Sequence, residues 1–312
     1  PVGAEIAVRG LTGGDNAFGW VDLPQGLITY RADAAGRFAD GITVWTGFGD
    51  DMVRIDGTHD RAGIRTVTTL NTGLGDDTVS VDLQVVEANG ADTGDGVFVL
   101  NTQGPWNDFA GRSDNDKVYG TGTDPLTGQP FASTLPLVVF GGQGDDLIIG
   151  GSGDDILFGD RGRMLRFEVV DGVATTRVVE QLGGGGPGDR SDGLVRRPDQ
   201  VFSVDPLVGG DDTIDGLTGD NLIVGGAGAD KIASGAGDDI LVGDNAAFVF
   251  WPDSDQLRSA QTIDTLDQPA WGDTIVTGAG NNIVLGGMGS ILVAFWGALR
   301  IGLVQQMSTL IL

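Results

Sequence analysis

The chain has 312 residues and a net charge of −26, from 18 basic and 44 acidic side chains. Nucleic acids and anionic membrane surfaces repel a protein of this charge, so both are excluded as expected partners and cations are favoured. Cysteine is absent, which excludes disulfides and thiolate metal sites and leaves oxygen-ligand sites for hard cations.

Residues 1–135 contain widely spaced copies of a short glycine–aspartate pattern. TGFGDDMVR begins at Thr46 and TGLGDDTVS at Thr72, and strand-like runs such as GIRTVTTL lie between them. A coil of 26 residues would place Asp51 over Asp77. The spacing predicts an irregular, degenerate β-solenoid, and the alternative is a separate β-sandwich.

The central part of the chain repeats a nonapeptide of the form GGxGxDxUx, where U is a large apolar residue. GGQGDDLII from Gly141 and GGSGDDILF from Gly150 fit this form fully, and further copies run from Leu207 to Val242. The eighth position is aliphatic in each copy, which predicts an inward-facing strand residue. The sixth positions are Asp146, Asp155, Asp212, Asn221, Asp230 and Asp239.

These repeats and the segments between them divide the chain. The predicted regions are 1–135, β-rich and irregular; 136–160, a first nonapeptide block; 161–206, an insertion loop; 207–244, a second block; 245–270, a second insertion loop; 271–290, a degenerate third block; and 291–312, an apolar C-terminal cap or a sequence artefact. Because nonapeptides and insertions recur as a compound unit, the chain is expected to be a fragment of a larger repetitive protein.

Each nonapeptide joins a glycine-rich turn to a three-residue strand. Glycines at positions one, two and four allow dihedral angles that aim carbonyl oxygens to one side, and the sixth residue adds a carboxylate. Two nonapeptides form one coil, so Asp212 should lie over Asp230, and Asn221 over Asp239. Stacked carboxylates repel one another, and a bound Ca²⁺ would reverse that interaction. Mg²⁺ fits less well because it tolerates irregular oxygen cages poorly.

These motifs resemble the calcium-binding RTX, or haemolysin-type, repeat modules of secreted bacterial toxins, proteases, lipases and adhesins. The resemblance is specific at 141–158 and 207–242 and partial at 46–54, 72–80 and 271–285. It implies an all-β fold, a parallel β-roll or β-solenoid whose turns hold several Ca²⁺ ions.

The resemblance also implies the metal ligands. They are Gly141, Gly142, Gly144, Asp146, Gly150, Gly151, Gly153, Asp155, Gly209, Gly210, Asp212, Gly219, Asn221, Gly225, Gly226, Gly228, Asp230, Gly235, Gly237 and Asp239. Further candidate ligands are Asp51, Asp77, Asp116, Asp160, Asp244 and Asp273. In the N-terminal copies the alternative is that the aspartates only cap turns.

Some positions depart from the pattern. Asn221 stands where the repeat has aspartate, and Leu217 stands where it has glycine. No regular nonapeptide follows Asp146 and Asp155, so their partners must come from Asp160 or from turns that follow the insertion.

Catalytic motifs are missing from the sequence. The one histidine, His59, has no neighbouring second ligand or nucleophile, and both HExxH and GxSxG are absent. We therefore expect a non-enzymatic, calcium-dependent structural or adhesive protein, with residues 1–135 as the open question. The alternative is an accessory RTX module of a secreted hydrolase or polysaccharide epimerase or lyase.

The expected location is extracellular or on the bacterial cell surface, after type I secretion, as the resemblance implies. The expected partners are Ca²⁺ and, beyond it, neighbouring repeats, copies of the same protein or cell-surface glycans. Nucleic-acid binding and membrane insertion are not expected, because the net charge is strongly negative and the apolar segment at 291–312 is interrupted by polar residues.

Overall fold

The structure is a computed structural model. It describes residues 5–8, 28–31, 42–47, 49–55, 67–83, 98–102, 114–123, 128–183, 191, 197–252, 254, 256–263, 272–286, 291–294 and 300–301. His59, residues 90–97 and residues 302–312 lie outside this part of the chain.

Two long parallel sheets dominate the described part of the chain. The nine-stranded sheet contains β3 (Ile42–Trp45), β5 (Thr68–Asn71), β7 (Phe98–Asn101), β11 (Leu137–Gly142), β13 (Ile156–Asp160), β18 (Leu222–Gly226), β20 (Ile240–Asp244), β24 (Ile283–Leu285) and β26 (Arg300–Ile301). The eight-stranded sheet contains β4 (Met52–Ile55), β6 (Thr78–Val81), β8 (Lys117–Tyr119), β12 (Leu147–Ile149), β17 (Thr213–Asp215), β19 (Lys231–Ala233), β23 (Thr274–Thr277) and β25 (Ile291–Ala294).

The chain alternates between these sheets, so each coil contributes one strand to each, and the predicted all-β solenoid is confirmed. The coils stay in register across the long insertion after β13, because Ile148 pairs with Ile214 and Leu157 pairs with Ile223. The two nonapeptide blocks therefore form one continuous stack.

The N-terminal strands belong to the same stack. β3, β5 and β7 pair in parallel and lead directly to β11, while β4, β6 and β8 lead to β12. A β-sandwich would pair its strands antiparallel. The described part of residues 42–119 is thus solenoid, with coils longer than eighteen residues.

Aliphatic side chains fill the space between the two parallel sheets. The eighth positions of the nonapeptides are buried there, as the sequence predicts. They are joined by Leu70, Val79, Leu100 and Val118 from the N-terminal coils. Because one inward residue per strand is repeated coil after coil, this core runs the length of the stack.

The two insertions, expected to be loops, instead form a five-stranded antiparallel sheet. Its strands are β14 (Gly162–Val170), β15 (Val173–Leu182), β16 (Gln200–Ser203), β21 (Ala246–Phe250) and β22 (Leu257–Thr262), in the order β15-β14-β16-β21-β22. The sheet covers the outer face of the nine-stranded sheet, where Met164 and Phe248 pack with Phe140 and Phe158. Burial of this apolar face explains why these parts of the insertions form strands.

The remaining strands lie in the peripheral segments. β1 (Glu5–Val8) pairs with β2 (Ile28–Arg31), and β9 (Thr121–Thr123) pairs with β10 (Pro130–Ala132), both antiparallel. β25 and β26, within the segment expected to be a cap or an artefact, continue the two parallel sheets for one more coil. Within the described residues no helix is long and apolar enough to cross a membrane.

Candidate metal centre

The turns between the sheets lie along two edges of the solenoid. We call the turns that lead from the nine-stranded to the eight-stranded sheet the first edge, and the turns that lead back the second edge. Both insertions leave the stack at the first edge, between β13 and β17 and between β20 and β23.

Along the first edge, the sixth-position aspartates form a continuous hydrogen-bonded series, the first-edge ladder. The backbone N–H of each aspartate donates to Oδ1 of the aspartate one coil further on. The donor–acceptor distances are 2.7 Å for Asp51 to Asp77, 2.7 Å for Asp77 to Asp116, 2.7 Å for Asp116 to Asp146, 2.8 Å for Asp146 to Asp212, 2.9 Å for Asp212 to Asp230 and 3.0 Å for Asp230 to Asp273. Asp212 thus lies over Asp230, and Asp51 over Asp77, as predicted.

The second carboxylate oxygen of these aspartates faces into the turn. Within the described part of the chain, Oδ2 of Asp51, Asp146, Asp212 and Asp230 is buried without a hydrogen-bond partner. A buried carboxylate oxygen with no donor costs several kcal/mol. The geometry therefore calls for a cation beside these oxygens.

The glycine at position one makes room for this oxygen. A Cβ on Gly141 would collide with Oδ2 of Asp146, and a Cβ on Gly225 would collide with Oδ2 of Asp230. The turn is thus a cradle that any larger residue would fill.

Carbonyl oxygens of the fourth position stack between coils. A Cβ on Gly228 would collide with the carbonyl of Gly210, and a Cβ on Gly237 with that of Gly219. Gly144, Gly219 and Gly228 have φ of 93°, 107° and 143°, a backbone region that side chains other than glycine rarely adopt. These turns place carbonyls and carboxylates together, which is the donor set that Ca²⁺ prefers.

Burial raises the pKa of the ladder carboxyl groups. The pKa of Asp77 rises to about 7 and that of Asp116 and Asp230 to about 9, in each case mainly because burial disfavours the charged form. The pKa of Asp146 also lies well above its usual range, because of burial and then the nearby charge of Asp212. In the folded chain without a cation, burial therefore favours the protonated form of these groups.

The first insertion interrupts a nonapeptide in the middle of its turn. Gly159 takes the first position, because a Cβ there would collide with Oδ2 of Asp212. Asp160 takes the second position, since it pairs with Gly142 of the preceding coil. It accepts hydrogen bonds from the N–H of Gly210, at 3.2 Å, and of Ala227, and so joins both halves of the turn.

The second insertion interrupts a turn in the same way. Gly243 faces Oδ2 of Asp273, and Asp244 pairs with Gly226. Asp146 and Asp155, which lacked partners in the sequence, are thus paired across the first insertion with Asp212 and Asn221.

The second edge carries a shorter series of sixth positions, the second-edge ladder. The backbone N–H of Leu137 donates to Oδ1 of Asp155, that of Asp155 to Oδ1 of Asn221, that of Asn221 to Oδ1 of Asp239 and that of Asp239 to Oδ1 of Asn282. The distances are 2.9, 3.0, 3.0 and 2.9 Å. Asn221 thus lies over Asp239, as predicted, but aspartate and asparagine alternate along this edge.

Exposed fifth-position residues form a second, outer ladder that the sequence did not indicate. Here the N–H of the later coil donates to the preceding one, as from Asp211 to Asp145 at 2.9 Å and from Asp238 to Asp220 at 2.8 Å. Asp and Asn occupy these positions because their short side chains reach the backbone of the neighbouring turn.

Asp114 and Asn282 are further site residues that the sequence did not single out. Asp114 takes the fourth position, where other turns have glycine; it is 7% exposed and accepts a hydrogen bond from the N–H of Gly75 at 2.8 Å. Burial raises the pKa of its carboxyl group to about 6. The motif DND around Asn115 is the sequence feature that could have identified Asp114 as a site residue.

The residues of these turns fit calcium. Within the described residues, no group of three or more carboxylate or imidazole side chains gathers into a metal site. The donors are instead one or two carboxylates together with glycine carbonyls, a mixed oxygen set that suits Ca²⁺.

Comparison with known proteins supports the same assignment. The model of the RTX calcium-binding nonapeptide repeat matches residues 138–163, 208–241 and 272–290, with four copies. No curated protein and no solved structure matches the chain. The described residues of each matched segment include sixth-position residues of these two edges. The repeats in these three segments therefore belong to the RTX calcium-binding nonapeptide family.

Proposed function

We propose that this chain is a calcium-stabilised structural solenoid in which Ca²⁺ lies along the whole first edge, from Asp51 to Asp273. The observation that carries this proposal is the unbroken first-edge ladder, in which Oδ2 of every aspartate from Asp51 to Asp230 is buried without a donor among the described residues. Such a ladder is strongly unfavourable when ionised and empty, because like charges repel at close range in a poorly solvated place.

The residues that would hold the ions are the ladder aspartates, through Oδ2, and the turn carbonyls beside them. The glycines named from the sequence serve by aiming those carbonyls. When bound, Ca²⁺ supplies the positive charge that offsets the carboxylates. The chain's own residues determine the rest: Oδ1 holds the coils in register, while the first-position glycine keeps the cradle open.

The N-terminal coils of Asp51 and Asp77 lie outside the matched repeats and share the aspartate ladder and the fourth-position glycine, but Thr46 and Thr72 take the place of the first-position glycine. Among the described residues nothing donates to the buried Oδ2 of Asp51, and Gly47, Gly49 and Gly75 have φ of 114°, 113° and 141°. A turn cap needs only one oxygen on a backbone N–H, and Oδ1 of Asp77 already does this. The second buried oxygen favours a metal ligand over a cap.

The split turns supply additional carboxylates. Burial raises the pKa of Asp160 well above its usual range, and the next cause is the charge of Asp212. We therefore include Asp160, and Asp244 at the equivalent position, in the first-edge sites.

We further propose that the chain works outside the cell as part of a larger surface or adhesive protein, exported by type I secretion. RTX repeats typically occur in secreted proteins. Calcium-coupled folding suits such export, since a polyanionic chain stays unfolded where calcium is scarce and folds where it is abundant. The net charge of −26 favours the unfolded state until cations bind.

Circular dichroism of the chain in EDTA and during calcium addition tests the proposal. We expect disorder to give way to β structure with a midpoint in the extracellular range, roughly 10⁻⁴ to 10⁻³ M Ca²⁺. An equal concentration of Mg²⁺ is the control and should leave the spectrum unchanged. A chain equally folded in EDTA and in calcium would contradict calcium-coupled folding.

A further inference from the structure

The two turn edges differ in the chemistry of their sixth positions. On the first edge, each stacked pair in the described ladder consists of two aspartates. On the second edge, each stacked pair from Asp155 onward contains one aspartate and one asparagine. The second edge therefore carries half the carboxylate charge at each step.

The asparagine amides occupy the place where the first edge leaves an oxygen without a donor. Nδ2 of Asn221 donates to the carbonyls of Gly216, at 3.2 Å, and Gly219, at 3.1 Å, in its own turn. Nδ2 of Asn282 donates to the carbonyl of Gly278 at 3.1 Å. These carbonyls belong to the same glycine-rich turns that present metal ligands on the first edge.

The hydrogen-bond network fixes the orientation of these amides. Oδ1 of Asn221 accepts the ladder N–H of Asp155 at 3.0 Å, and Oδ1 of Asn282 accepts that of Asp239 at 2.9 Å. A flipped amide would place its NH₂ against another N–H donor, so the NH₂ must face the turn carbonyls. Two N–H donors there repel a cation.

Asp155, beside Asn221, is also satisfied without a metal. Its Oδ1 accepts from Leu137 at 2.9 Å and its Oδ2 from Gly151 at 2.9 Å. By contrast, Oδ2 of Asp230 on the first edge has no donor among the described residues. On the second edge the same holds for Oδ2 of Asp239, which is stacked between Asn221 and Asn282.

We infer that Asn221 and Asn282 replace calcium in their turns, so that calcium dependence is concentrated on the first edge. On the second edge these two turns close with the protein's own amides, and the turn of Asp239 keeps a buried carboxylate oxygen without a donor among the described residues. The sequence interpretation of Asn221 as a metal ligand is thereby replaced by a role as substitute for the ion. This inference rests on the proposed calcium function and specifies which turns the ions occupy.

Asn282→Asp and Asn221→Asp test the inference by restoring the carboxylate. Each variant should bind about one more Ca²⁺ per chain than the parent, measured by equilibrium dialysis of calcium-saturated protein. Asn281→Asp is the matched control, because it adds the same charge at the adjacent, exposed fifth position and should leave the count unchanged. An unchanged count in both sixth-position variants would overturn the inference.

The reverse substitution keeps the inference testable if an added charge prevents folding. Asp230→Asn should lose at least one ion and, unlike Asp230→Ala, should need less calcium to fold than the parent, because its amide can bind the turn carbonyls. An Asp230→Asn variant that needs as much calcium as Asp230→Ala would overturn the inference. A parent that binds no calcium would instead refute the proposed function, so the two failures are distinguishable.

Discussion

At the residue scale, the difference between an aspartate and an asparagine decides what a turn requires. Both side chains accept the ladder N–H through Oδ1, as Asp230 does from Asp212 and Asn221 does from Asp155. The two side chains differ only at the other terminal atom. In aspartate this atom is Oδ2, which needs a hydrogen-bond donor or an ion, whereas in asparagine it is the NH₂ group, which donates to carbonyls. A single atom of the sixth-position side chain therefore determines whether the turn needs a cation.

Asp230→Ala should weaken calcium-dependent folding far more than Asn221→Ala. The first change removes a metal ligand, and loss of groups that support a metal site typically costs ~10-fold or more in metal affinity. The second removes amide hydrogen bonds that are present with or without calcium. Calcium titrations followed by circular dichroism should show a raised midpoint for Asp230→Ala and a nearly unchanged one for Asn221→Ala; equal shifts would contradict this assignment.

Leu217→Gly should stabilise the calcium-bound chain by about 1 kcal/mol. Leu217 has φ of 55°, a left-handed conformation that costs a side chain with a Cβ about 1–2 kcal/mol. Urea denaturation in saturating calcium measures the change. Gly219→Ala is the opposite control, because its φ of 107° and the nearby carbonyl of Gly153 leave no room for a Cβ. A Leu217→Gly variant less stable than the parent would contradict the claim that Leu217 is strained.

At the element scale, the nonapeptide strands were predictable and the insertion sheet was not. A strand with one buried aliphatic residue at a fixed position, such as Ile148, shows itself by periodicity. In β14 the alternation of buried apolar and exposed polar residues is not visible in the sequence, because the third buried position, after Gly162 and Met164, is Arg166. Its Nε lies 3.4 Å from Oε2 of Glu180. In the sequence, the two charged residues of a buried ion pair look the same as charged residues on a solvent-exposed face of a strand.

The split turns were hidden for a different reason. The nonapeptide pattern is read from consecutive residues, but Gly159 and Asp212 lie on opposite sides of an insertion. The sequence therefore left Asp146 and Asp155 without definite partners, and coil stacking supplied them. Register between distant segments depends on the whole sheet and not on local spacing.

Phe158→Ala should destabilise the chain by about 3–5 kcal/mol, because it opens a cavity between the nine-stranded sheet and the insertion sheet. Its ring is 1% exposed and lies 5.4 Å from that of Phe140, centroid to centroid. Urea denaturation in saturating calcium measures the loss. Val173→Ala, at a position 66% exposed, is the control and should change stability by less than about 0.5 kcal/mol. An equally mild effect at Phe158 would show that the insertion sheet does not add to the core.

At the scale of the whole molecule, a long acidic edge couples folding to cations and to protons. The folded pKa values of Asp77, Asp116 and Asp230 are raised to about 7, about 9 and about 9, above the ordinary value of 3.8. A raised folded pKa means that the folded chain binds more protons than the unfolded chain between these limits. Stability without calcium is therefore lost as pH rises through that window.

We accordingly expect the chain in EDTA, disordered at about pH 8, to gain β structure as the pH falls to about 5, measured by circular dichroism. Asp116→Asn should flatten this dependence, while Asp76→Asn, at an exposed fifth position, should not. In saturating calcium the effect should reverse, because the ions bind the ionised carboxylates and release protons. Rising stability with pH in EDTA would refute the buried-carboxylate account.

The central claim is that calcium occupies the first edge along its full length, including coils outside the matched repeats. A crystal structure of the calcium-saturated chain, with the ions located by their anomalous scattering, tests it most directly. We predict an ion between successive ladder aspartates from Asp51 to Asp273, and none in the turns of Asn221 and Asn282. Ions confined to residues 138–290, with none between Asp51 and Asp116, would contradict the claim.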